Sequence, residues 1–175
     1  MRGAAGALAF LTRVPVGAWV KLDGRDVARG SVFFPLVGAV VGAASSLVAL
    51  GTARVLPAFL AAALAVACEA ALTGAIHLDA LADLADSLGA RSRERALEIL
   101  REPAIGAFGA VALVIDLLLK TGAFAALLAQ DGLLPAVVAC FAAGRVAPLV
   151  VKCPRVVATA RYFAPFLPRR GGEPL

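Results

Sequence analysis

The chain has 175 residues, 61% of them hydrophobic and only 17% charged, with one His, one Trp and one Tyr. That excludes a disordered chain and argues against an ordinary soluble domain, which runs about 45–50% apolar and about 25% charged. The net charge of +5, from 17 Lys and Arg against 12 Asp and Glu, comes from basic residues set between apolar runs, so membrane topology accounts for it and no nucleic-acid partner is expected.

The expected fold is all-α: a polytopic helical membrane bundle of about four transmembrane helices with short interfacial helices, forming one integral membrane domain over residues 1–175. Residues 1–31 read as a cytoplasmic or interfacial segment. The apolar stretch at 4–11 is followed by Thr12, Arg13 and Pro15 and not by a small-residue cleavage site, which argues against a removable signal peptide. Pro15, Gly17, Gly24 and Gly30 break the remainder into a short interfacial or re-entrant helix and a loop. Trp19, just before Lys21, suits the membrane–water boundary.

The first span is expected at 32–50, a run of 19 residues without a charge. Within it, Gly38 and Gly42 make a small-xxx-small pair that lets another helix come close. Arg54 interrupts, and a second span is expected at 55–76 with Glu69 as its sole charge. Residues 77–103 follow as a cytoplasmic acidic motif and an Arg-rich helix ended by Pro103. A third span at 105–128 holds Asp116 and Lys120 at a helical spacing of four, so they can pair; a fourth at 133–151 holds Arg145, with Glu69 as a candidate partner. In this arrangement 14 of the 17 basic residues fall on one side and only Arg54 in an opposite loop. The positive-inside tendency makes that side cytoplasmic. Cys68, Cys140 and Cys153 form no CxxC pair and read as reduced packing residues.

The chemistry concentrates between the second and third spans. Asp79, Asp83 and Asp86 place three of the 12 acidic residues within eight positions. On a helix, Asp83 lies about 40° from Asp79 and Asp86 about 20° to its other side, so all three share one narrow face. Like charges on an otherwise apolar helix repel, and a hard divalent cation such as Mg²⁺ offsets them, because it takes oxygen ligands from one or two carboxylates, water and substrate phosphate. A bridging metal of that kind points to phosphoryl transfer. Arg91, Arg93, Arg95 and Arg101 lie on the same side, available to phosphate. His77, about 200° around from Asp79, is placed poorly for the same ion and better behind the site or against substrate. The bland alternatives are a solvated acidic face paired with the arginines, and arginines that serve only as a topology signal.

At these residues the sequence resembles the cobalamin synthase family, the adenosylcobinamide-GDP ribazoletransferases. The family signature is similar to TGxxHxDGLADxxDGLG, matched by Thr73, Gly74, His77, Asp79, Leu81, Ala82, Asp83, Asp86, Leu88 and Gly89. Phe10-Leu11-Thr12-Arg13-Val14-Pro15-Val16, Phe34-Pro35-Leu36-Val37-Gly38, Arg91-x-Arg93 and Ile105-Gly106-Ala107-Phe108-Gly109 extend it in order over roughly residues 7–120. Ala80 and Ser87 replace family glycines and Glu102 an aspartate, changes expected to crowd a close backbone or phosphate approach. The family's later glycine-rich segment is expected to be missing or replaced before Leu175, so the chain reads as cut short and its activity as open.

The resemblance implies an enzyme of a bacterial or archaeal cytoplasmic (inner) membrane, facing the cytoplasm, that joins adenosylcobinamide-GDP to α-ribazole or its 5′-phosphate with release of GMP. Asp79, Asp83, Asp86 and His77 are then the candidate catalytic residues, the three aspartates the Mg²⁺ ligands, and Arg91, Arg93 and Arg101 the phosphate binders. Two alternatives stay open: a CDP-alcohol phosphotransferase-like enzyme, and a non-catalytic transport subunit or inactive fragment. Monomer and homo-oligomer stay open too.

Overall fold

A computed structural model describes residues 2–16, 24–102, 104–130 and 132–146. The expectations for Trp19, Lys21, Pro103, Cys153 and the basic residues from Lys152 to Arg170 lie outside them. The described residues form eight α-helices and no strand: α1 (Arg2–Leu11), α2 (Gly24–Gly30), α3 (Phe34–Thr52), α4 (Ala58–Thr73), α5 (Ile76–Leu88), α6 (Arg93–Ile99), α7 (Ala107–Leu128) and α8 (Leu133–Gly144). A 3₁₀ turn at Ser31–Phe33 joins α2 to α3.

Two helical stretches are long and apolar enough to cross a membrane, Asp26–Thr52 with 27 residues and Ala107–Leu128 with 22. They coincide with the first and third expected spans. The bent pair α4–α5 makes a third if it is one broken span. The expected span at 55–76 is shortened at both ends. Pro57, in an extended conformation, delays the start of α4 to Ala58. At the other end Gly74 (φ +64°) and Ala75 (φ +59°) both adopt the left-handed conformation, which ends α4 and turns α5 by 91°. Sixteen residues give α4 about 24 Å, less than the roughly 30 Å of a hydrocarbon core. Within the described residues the fourth expected span is the 12-residue α8, and positions 147–151 lie outside them.

Helix α3 is the hub, packed against α1, α4 and α8. Ala49, Ala62, Ala65, Val66, Phe124, Leu133 and Val137 form one core, where α3, α4, α7 and α8 meet. Ala7, Leu11, Phe34, Val37 and Val41 form a second, between α1 and α3, with the Phe10 ring stacked on Phe34 at 5.7 Å. Small side chains are what bring these helices together. A Cβ at Gly38 would strike the Phe141 carbonyl of α8, and one at Gly42 would lie 3.0 Å from the Phe141 Cβ. The close-packing expectation for this pair therefore holds. Helix α7 shows the opposite pattern: Phe108, Val111, Ile115, Leu118 and Leu119 are exposed, an apolar surface suited to hydrocarbon. Cys68 and Cys140 are free thiols.

Candidate functional site

The acidic motif occupies α5. Its helix begins at the left-handed Ala75 and runs beside α7, with fully buried Ala82 on the packed side. Asp79 is exposed and Asp83 half-buried, one turn apart. No hydrogen bond or ion pair engages either carboxylate among the described residues.

Asp86 behaves differently. Its Oδ2 accepts the backbone N–H of Gly106 at 2.7 Å, and its Oδ1 accepts that of Gly109 at 2.8 Å. Gly106 caps α7 without help from any side chain of its own segment. The first N–H groups of a helix lack partners inside it, so a carboxylate supplied by α5 satisfies two of them and meets the positive end of the α7 dipole. The two glycines make room for this. A Cβ at Gly106 would lie 2.5 Å from Asp86 Oδ1, and one at Gly109 would overlap Oδ2 and sit 2.9 Å from the Ala82 carbonyl. Sequence reasoning placed Ile105–Gly109 in a family-like stretch but gave it no task. The signal was present in the spacing of its two glycines, and the partner 20 residues upstream was not visible.

Of the three carboxylates, Asp86 is thus engaged by the α7 backbone while Asp79 and Asp83 are not. Among the described residues no group of three or more His, Cys, Asp or Glu side chains is arranged to hold a metal ion. What remains is a pair, Asp79 and Asp83. Mg²⁺ commonly takes only one or two protein carboxylates and fills the rest of its shell with water and phosphate oxygen. Two adjacent, unneutralised carboxylates on one turn fit that requirement.

His77 is set apart from the pair, as its angle on the helix implied. It lines a cavity of about 10 Å³ between α4, α5 and α7 together with Glu69, Thr73, Leu117 and Lys120. That space is about the size of one water molecule. Both His77 Nε2 and Glu69 Oε2 are buried there without a partner. Lys120 Nζ joins the two acids that flank it, at 3.1 Å from Asp116 Oδ2 and 3.4 Å from Glu69 Oε1. The expected Asp116–Lys120 pair is present. Glu69 pairs with Lys120 and not with Arg145, whose guanidinium lies 5.4 Å over the Phe141 ring and donates to the Phe141 carbonyl at 3.4 Å. Lys120→Met should destabilise the protein by about 3–5 kcal/mol, because it leaves a buried Glu69 carboxylate uncompensated. Adding both Glu69→Leu and Asp116→Asn should recover most of the loss in thermal unfolding in detergent, since Lys120 serves both acids.

The arginines separate as well. Arg95 is committed to Glu98 (3.0 Å) and Glu102 (2.9 Å); those carboxylates raise its already high pKa, the Glu98 hydrogen bond most. Arg91 and Arg101 are exposed on either side of α6, and Arg93 is the first residue of that helix. The three replacements of family residues are each accommodated within the folded chain. Ala80 is exposed, the Ser87 hydroxyl folds back onto the Leu84 carbonyl at 2.7 Å, and Glu102 pairs with Arg95.

Comparison with known proteins covers the segment that holds these residues. The family profile described as cobalamin-5-phosphate synthase matches residues 3–165. The chain is 44% identical over 115 residues to the adenosylcobinamide-GDP ribazoletransferase of Shewanella amazonensis, covering 65% of this chain and 44% of that one. It is 46% identical over 123 residues to that of Thiobacillus denitrificans (69% and 49%), and 42% identical over 148 residues to that of Leptothrix cholodnii (83% and 56%). The chain thus spans about half the length of the curated relatives it matches. No solved structure gives a significant match.

Proposed function

The chain belongs to the cobalamin-5-phosphate synthase family, and from that premise we propose that it carries out the reaction named for its relatives. A hydroxyl of α-ribazole, or of its 5′-phosphate, attacks the phosphorus on the cobinamide side of the adenosylcobinamide-GDP diphosphate. The new P–O bond forms as the bond to the GMP phosphate breaks, GMP leaves with the electron pair, and the hydroxyl proton passes to a base. The observation that carries this reading is the free carboxylate pair Asp79–Asp83, held on a helix whose end is fixed by Asp86.

Asp79 and Asp83 would hold Mg²⁺. The ion, when bound, neutralises diphosphate charge as the leaving group develops. The chain's own groups then bind and orient. Arg91, Arg93 and Arg101 would steady phosphate oxygens. Asp86 keeps α5 in register with α7, and His77 acts from behind α5 as a positioning group. The family signature and the positive-inside tendency favour α5 at the cytoplasmic surface, outside the spanning segments. There partial burial first, then the charges of Asp79 and Asp86, raise the Asp83 pKa from its ordinary value. One of the site's carboxylates would accept the hydroxyl proton.

The test is nucleotide release. The chain purified in detergent and supplied with adenosylcobinamide-GDP, α-ribazole and Mg²⁺ should release GMP, and EDTA should stop it. No GMP from this chain, under conditions where the Leptothrix cholodnii relative is active, would overturn the reading.

A further inference from the structure

Arg13 stands outside every role assigned so far, yet it is the arginine fixed nearest the turn into α5. The chain leaving α1 is tied down at successive residues. Thr12 returns both its N–H (3.0 Å) and its hydroxyl (2.6 Å) to the Leu8 carbonyl. The Arg13 N–H donates to Leu72 O of α4 at 2.8 Å, and the Val14 N–H donates to the Thr12 hydroxyl at 3.3 Å. The Arg13 stem then lies across Gly74. A Cβ at that glycine would be 2.7 Å from Arg13 Cγ, 2.9 Å from Cδ and 3.5 Å from Nε. Gly74 is thus required twice, once for its left-handed backbone and once for the side chain that crosses it.

This places a guanidinium at the foot of α5. The Asp79 N–H bonds to the Ala75 carbonyl at 2.9 Å, so Asp79 stands one helical turn, about 6 Å, along the axis from the residue next to Gly74. Arg13 is exposed, and no hydrogen bond or ion pair occupies its guanidinium among the described residues. The acidic pair is therefore bracketed in sequence along α5, with Arg13 at the helix start and the α6 arginines beyond its end. An arginine whose backbone is anchored, whose stem lies against Gly74 and whose fork is open is suited to two-pronged recognition of phosphate.

We propose that Arg13 is a phosphate-binding residue of the site, gripping a phosphate group of the substrate that Asp79 and Asp83 engage. The inference rests on the reading above for the identity of that substrate. The chemistry is shared by a nucleotide diphosphate and a phospholipid headgroup, and the experiment separates them.

Mg²⁺–GDP is titrated by calorimetry into the full chain in lipid-free detergent, for wild type, Arg13→Gln and Arg13→Lys. The expected result is a Kd at least tenfold higher in Arg13→Gln, with partial recovery in Arg13→Lys, which keeps the charge and loses the fork. Thermal unfolding is followed alongside, because an arginine whose side chain served only to pack across Gly74 would lower the unfolding temperature and leave the Kd unchanged. An unchanged Kd, or no GDP binding by wild type, overturns the proposal. So does a result in which Arg13→Gln loses only the thermal shift given by phosphatidylglycerol micelles, which would assign the residue to lipid. GMP release decides the enzymatic reading separately. If wild type binds GDP through Arg13 but releases no GMP, the reaction falls and Arg13 stands; if GMP is released and Arg13→Gln keeps both KM and Kd, Arg13 falls alone.

Discussion

Asp83→Asn should reduce Mg²⁺-dependent GMP release by about 10²–10³-fold, the usual scale when one group stabilising developing charge is removed, and at the same time leave the metal-free protein no less stable than wild type. The two effects have one cause. Asp83 ionises against partial burial and the neighbouring charges of Asp79 and Asp86, which raise its pKa. A carboxylate whose folded pKa lies above its unfolded value contributes stability that is full below the unfolded pKa and lost as pH rises through the folded one. Metal-free wild type should therefore lose stability as pH rises across that window, and Asp83→Asn should lack this dependence. Mg²⁺ reverses the balance by displacing the proton, so its affinity should climb with pH over the same range. Thermal unfolding against pH, with and without Mg²⁺, reads all of this without an activity assay. A variant that keeps full activity, or wild type showing no Mg²⁺-induced stabilisation, would remove Asp83 from the site.

For Asp86 the opposite profile is expected. Asp86→Ala should lower stability by about 2–4 kcal/mol, since two backbone N–H groups at the start of α7 lose a charged acceptor. Mg²⁺ affinity should fall far less than in Asp83→Asn. Gly109→Ala should mimic the loss, because its methyl group would occupy the position of Asp86 Oδ2. Denaturant unfolding in detergent measures both. If Asp86→Ala abolishes Mg²⁺ binding and spares stability, the carboxylate is a ligand after all and the capping role is secondary.

The two aspartates share a face in the sequence, and nothing in their spacing tells them apart. Helical periodicity brings Asp79, Asp83 and Asp86 together, but it describes one helix in isolation. Which carboxylate stays free depends on α7, whose first turn arrives from 20 residues downstream. The same limit explains Glu69. An apolar run with a lone acid implies a buried partner, and two cations were within reach by composition; only the packing of α7 on α4 selects Lys120 over Arg145. The long spans were legible because a stretch of apolar residues at 34–52 or 107–128 has one stable form in hydrocarbon. The break at Gly74–Ala75 was not, since alanine favours helix and nothing in its side chain announces the left-handed conformation that Ala75 takes.

The grip of Asp86 on Gly106 and Gly109 also changes what counts as the signature of this protein. The acidic stretch of α5 and the glycine pair that opens α7 are separate in sequence but single in construction. Grafted alone onto another helix, the aspartates would carry their charge without their alignment. A scaffold borrowed for new chemistry would need both segments, inherited or redesigned as one part.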